Sequence, residues 1–161
     1  MDGSSDRRNR ISKIDLDEQL RVRRNADIEH ERTVAIFDLL EDNRFELLGV
    51  EAGPYHLKLS IEEQRLAFDV RAEQGDAVEK IVLALTPFRS VIKDYFTVCE
   101  SYYDAIKRLS PTQIEALDMG RRAVHNEGSE LLRERLEGKI VLDLNTARRL
   151  FTLICVLHIR A

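Results

Sequence analysis

Residues 118–128 read DMGRRAVHNEG: an aspartate, two arginines, a histidine and a glutamate within eleven positions. A histidine can give or take a proton near neutral pH. An arginine fork binds carboxylates and phosphates through paired N–H donors. Together these types could hold a small anionic substrate and move a proton at it. A helix turns about 100° per residue, so each side chain can be placed on a wheel. Over 111–132, Ile114, Leu117, Val124 and Leu131 mark an apolar stripe, and Arg121 falls inside it, between Ile114 and Leu117. Asp118 and His125 fall on the stripe's edge, three residues before and four after Arg121, where all three can touch. Arg122 points further out. A lone buried arginine is strongly destabilising, so Arg121 needs an anionic partner.

The stretch IEHER, 28–32, repeats the anomaly. Ile28, Ala35, Ile36 and Leu39 give the inner face of a helix over about 27–42. On that phase Glu29 and Arg32 project toward the core, His30 lies on the margin, and Glu31 and Asp38 point away. Charged groups on the inner faces of two helices are expected to meet each other, a ligand or a second subunit. The leading expectation is a closed salt-bridge network that fixes helix packing. The alternative is an open pocket. There Arg32 and Arg121 bind a phosphate ester or carboxylate, Glu29 or Glu127 orients His125, and His125 is the catalytic acid or base of a hydrolase or transferase. A helix break at Gly120 would instead turn Arg121 to solvent.

The chain that must position these groups has 161 residues, 43% hydrophobic and 34% charged, enough for one domain with its own core. A net charge of −4 lacks the footprint of a nucleic-acid binder, so the RRNR and RVRR stretches read as flexible basic segments. Cys99 and Cys155 have no CxxC or Cys/His spacing and are expected to be core thiols, with no metal and no cofactor. MDGSSDRRNR lacks the apolar run of a signal peptide, and LFTLICVLHI is too short to span a bilayer. The expected location is the cytoplasm, with no membrane partner.

Residues 1–12 are expected to be a flexible arm and 13–161 a single α+β domain. KIDLD (13–17) predicts a short strand and RVRRN (21–25) a basic loop, followed by the first helix with Asp27 as its cap. FELLGV, YHLKLSI, RLAFDVRA and EKIVLAL, over 45–85, predict an antiparallel meander with one face covered. TPFRS starts a helix with Thr86 as cap, and Ser110-Pro111 ends it and opens the next. KIVLDL predicts one more strand, and Asn145 is expected to cap a last, almost wholly buried helix. Tyr95, Tyr102 and Tyr103 read as core aromatics with polar tips, His56 as exposed and His158 as a satisfied core histidine.

The strings IEHERTVAIFDLLEDN, TPFRSVIKDYF, VCESYYDAI, DMGRRAVHNEGSELLRERLEGKI and TARRLFTLICVLH together resemble a bacterial family of uncharacterised proteins, number 0262 in the UPF series. The resemblance covers nearly everything after the basic arm. It implies a bacterial cytoplasmic protein and brings no activity, cofactor or catalytic residue, so the site expectations rest on the helix wheels. The expected function is a non-enzymatic binding or interaction protein, as a homodimer or with a small anion as ligand.

Overall fold

The computed structural model describes residues 8–17 and 26–158. Strand β1 (Ile11–Leu16) begins two residues before the boundary at 13 expected from the sequence. Ile11 is fully buried. Its backbone is gripped by one side chain: Asn43 accepts from the Ile11 N–H at 2.7 Å and donates to its carbonyl at 2.9 Å. An amide that supplies both donor and acceptor satisfies strand backbone that would otherwise be left unpaired. Residues 1–7 and the expected basic loop at 21–25 lie outside the described residues.

Helix α1 (Ala26–Glu41) leads to β2 (Phe45–Leu47), and then to three longer strands: β3 (Tyr55–Glu62), β4 (Arg65–Ala72) and β5 (Ala77–Ala84). The last three form the expected antiparallel meander, with Leu57 facing Val70 and Phe68 facing Ile81. Glu63 and Gln64, both at positive φ, make the two-residue turn between β3 and β4. Two expectations change. The sheet is mixed, in the order β1-β3-β4-β5, because β1 adds parallel to β3; α1 supplies the crossover that a parallel pair requires. The 45–50 segment leaves the meander altogether. β2 is three residues long and pairs antiparallel with β6 (Ile140–Leu142), Phe45 opposite Leu142. Its buried Phe45 and Leu47 alternate with Glu46, and the same period in β6 buries Ile140 and Leu142.

After a single 3₁₀ turn at Thr86–Phe88, which no side chain caps, α2 runs from Arg89 to Ile106. Helix α3 (Pro111–Arg135) opens with Ser110 and Gln113 in a reciprocal capping box and Pro111 in its first turn. Helix α4 (Leu144–His158) is capped by Asp143, which accepts from the Thr146 N–H at 3.0 Å; Asn145, the expected cap, already sits in the first turn. Every residue from Leu150 to Leu157 is buried. This apolar rod packs against α1, α3 and β3 and forms the centre of the core.

Helix α3 passes through both Gly120 and Gly128 unbroken, so Arg121 stays in phase with the rest of the stripe. The two glycines differ in kind. A Cβ at Gly128 would lie 2.4 Å from the ring of Phe151, so a hydrogen there lets α3 approach α4. A Cβ at Gly120 would meet nothing within 4 Å. Gly128→Ala is therefore expected to lower stability by about 1–3 kcal/mol through overpacking, and Gly120→Ala to raise it by up to about 1 kcal/mol through helix propensity. Urea unfolding monitored by circular dichroism measures both; equal effects at the two positions would contradict the close approach.

Candidate functional site

The buried positions of α1 are Ile28, Glu31, Ala35 and Leu39, spaced three, four and four apart. That spacing runs the inner stripe through Glu31. The sequence wheel gives Ile36 equal weight in setting the phase, but Ile36 is only half-buried. The true face is rotated away from it. Glu29 is accordingly exposed, and Arg32 lines an outward groove with Ile36, Phe37 and Leu40. Neither lies on the face that carries the polar cluster, contrary to expectation. Glu31, expected to point away, is 5% exposed and lies at the cluster's centre.

Four contacts close the Glu31 carboxylate. Arg121 Nη2 lies 2.8 Å from Oε1 and 2.7 Å from Oε2. The Tyr95 hydroxyl donates to Oε1 at 3.1 Å and the Tyr103 hydroxyl to Oε2 at 2.6 Å. The carboxylate comes from α1, the two phenols from α2 and the guanidinium from α3. Burial pushes the Glu31 carboxyl up, but the bonds from Arg121, Tyr103 and Tyr95 and the Arg121 charge outweigh it, and the net shift is downward. Burial and the Glu31 charge raise the Tyr95 phenol, which stays a donor. The Arg121 guanidinium sits 5.0 Å above the Tyr102 ring, a cation–π contact on its other side. Its Nε is buried with no hydrogen-bond partner among the described residues.

Asp118 and His125 do flank Arg121, as the i,i+3 and i,i+4 spacing requires. Asp118 is the weaker partner, 4.0 Å from Arg121 Nη1 and drawn to Arg122 at 2.9 Å. His125 is 8% exposed, with Nδ1 at 2.8 Å from the Arg121 carbonyl. A carbonyl only accepts, so Nδ1 carries the hydrogen. The ring meets Tyr95 and Phe151 edge-on, at 5.3 and 6.3 Å. Burial pushes the His125 pKa below 6.5; the charges of Arg121 and Arg148 act the same way, and the carbonyl bond and Glu31 act against it. His125 is thus a neutral, oriented ring. Among the described residues no carboxylate bonds it as the orienting partner of a catalytic base would. Glu127, the other carboxylate considered for that role, is exposed.

The cluster borders a cleft of about 250 Å³ where α1, α3 and α4 meet, with Arg121, His125, Arg148 and Arg149 among its walls. Elsewhere the histidines depart from expectation. His56 is buried, not exposed, because the parallel neighbour β1 brings Asp15 Oδ2 to 2.6 Å from its Nε2. His158 is half-buried at the end of α4, its pKa lowered by burial and by Arg89. Cys99 and Cys155 are buried free thiols, both pushed up by burial.

The signs of the titrations are fixed. For His125 the folded pKa is below 6.5, so the unfolded chain takes up the proton first as pH falls. Stability is full above pH 6.5 and declines from there down to the folded value; His158 adds a loss of the same sign. Glu31, also depressed, loses its contribution only below the ordinary carboxylate range. His125→Asn, which keeps a donor for the Arg121 carbonyl, is expected to flatten the fall in Tm between about pH 6.5 and 5. An unchanged slope in thermal melts would show that His125 takes up its proton as readily in the folded protein as in the unfolded chain.

Comparison with known proteins agrees with the resemblance. The model of the Uncharacterised protein family (UPF0262) matches residues 8–160. A UPF0262 protein of Paramagnetospirillum magneticum is 59% identical over 153 residues, 95% of this chain and 98% of its own. One of Hyphomonas neptunium is 58% identical over 150 residues, 93% of each chain. One of Mesorhizobium japonicum is 56% identical over 161 residues, 99% of each. No solved structure matches. Near-full-length identity well above one half, on top of the family match, places the chain in the UPF0262 family.

Proposed function

We propose that the protein is a non-enzymatic interaction protein of the bacterial cytoplasm that self-associates through the outer face of α1. The observation that carries this reading is Phe37, which is 65% exposed. Ile36 and Leu40 extend the apolar strip, and Arg32 and Glu41 stand at its two ends. An antiparallel pairing of two α1 helices sets apolar centre on apolar centre, an arrangement consistent with two-fold symmetry. Exposed apolar strips on a packed helix mark interaction surfaces more often than chance exposure does.

The closed cluster speaks for the same reading and against the hydrolase or transferase alternative. Both Glu31 oxygens are engaged, Arg121 is held by Glu31, and His125 is fixed by a backbone carbonyl. The cluster then serves to hold α1 rigid, so that its outer face is presented in a fixed orientation. No helix among the described residues is long and apolar enough to cross a membrane.

A single helix face makes a small interface of the kind found in weak, transient associations. Sedimentation velocity from low to high micromolar concentration should show a monomer–dimer equilibrium for the wild type and monomer alone for Phe37→Asp. A wild type that stays monomeric to hundreds of micromolar contradicts the proposal.

A further inference from the structure

The opening turns of α4 carry Arg148 and Arg149, both half-buried and both lining the α1/α3/α4 cleft. Arg149 has a structural role, because its Nη1 reaches the Asp42 carbonyl at 3.3 Å, just beyond the end of α1. Arg148 has none. Among the described residues no carboxylate lies within 4.0 Å of its guanidinium and no group accepts a hydrogen bond from it. The two carboxylates on the cleft wall, Glu31 and Asp38, make no ion pair with it. Glu31 is taken up by Arg121, and Asp38 pairs with neither Arg148 nor Arg149. His125 is neutral and adds no negative charge.

We infer that this cleft binds a small oxyanion, a phosphate ion or the phosphate group of a monoester, with Arg148 as its main ligand and Arg149 and Asn145 beside it. A guanidinium without a carboxylate partner presents a planar fork of N–H donors that matches two oxygens of such an anion. The cleft's volume of about 250 Å³ leaves room for the anion with part of its hydration shell. Polar donors surround the space on the α4 side; on the α1 side Val34 and Ala35 line it together with the carboxylates Glu31, held by Arg121, and Asp38. The site differs from the one expected from the sequence in its cations: Arg32 faces outward and Arg121 is held by Glu31, while the free fork belongs to Arg148.

Thermal melts read by circular dichroism test this. In the wild type, about 10 mM phosphate should raise Tm by roughly 3–5 °C over sodium chloride of equal ionic strength, as for a site of millimolar affinity. Arg148→Gln, a change at a half-buried residue without a protein partner, should abolish that increment. Glycerol phosphate run in parallel separates the sources: a larger increment than with inorganic phosphate assigns the site to a monoester, and an equal or smaller one to the free ion. A phosphate melt that coincides with the chloride melt overturns the proposal, as does an increment that Arg148→Gln retains. Proton–carbon NMR of the wild-type histidine rings gives a reading that needs no variant. The His125 resonance should shift saturably with phosphate while that of the exposed His30 stays fixed; a static His125 overturns the proposal.

Discussion

The fold depends on a single constraint: a carboxylate, Glu31, lies on the inner face of α1 and must stay charged without water. An ion in that position is tolerable only when its lone pairs are filled by donors held in place. Here the donors come from two other helices: Tyr95 and Tyr103, eight residues apart on α2, and Arg121 near the middle of α3. Each helix is thereby fixed in rotation as well as position. Apolar packing alone tolerates small slips; a carboxylate that needs three particular partners does not. The arginine in turn needs the carboxylate, and Tyr102 beneath it excludes water from one side.

The rest of the core is built against this clamp. α4 is buried along most of its length and lies against α1 and α3, with Phe151 reaching the open backbone at Gly128 and the rings of Tyr95 and His125. The sheet is joined to the helices through β1, whose first residue is bonded by Asn43 immediately after α1. The small β2–β6 pair ties the end of α1 to the start of α4. Thr146 at the head of α4 completes that junction by accepting from the Arg44 N–H at 2.9 Å. A rigid inner framework thus leaves two kinds of surface for use: the apolar outer face of α1, and the cationic wall that α4 turns toward the cleft.

Local patterns legible in the sequence survive in the structure. Period-two alternation locates β3, β4 and β5; Ser110-Pro111 marks the start of α3; and Arg121 is inside its stripe with Asp118 and His125 at its side. The errors on α1 share one cause. A helix wheel fixes only relative angles, and α1 carries apolar residues on more than one side, Val34 and Phe37 being exposed and Ile36 half-buried. Including Ile36 with Ile28, Ala35 and Leu39 turns the inner face toward Glu29 and Arg32. Glu31 could have been found from the strict 28-31-35-39 spacing, combined with the demand that Arg121 meet an acid. The strand pairings are out of reach for another reason. Parallel β1–β3 and the distant β2–β6 pair depend on where α1, α3 and α4 pack, and that is not encoded in either strand's own alternation. His56 is misplaced with them, since Asp15 comes from the strand whose partner the alternation does not reveal.

The most direct measurement of the central constraint is a double-mutant cycle on Glu31 and Arg121 by equilibrium urea unfolding. Glu31→Gln and Arg121→Gln should each cost about 2–4 kcal/mol, allowing for the partial exposure of Arg121. Removing both should cost clearly less than the sum, with a coupling of roughly 1–2 kcal/mol or more, because neither charge is then left buried alone. Strictly additive losses, or single losses below about 0.5 kcal/mol, would mean that the three helices are held by apolar packing alone and that the cluster is incidental to the fold.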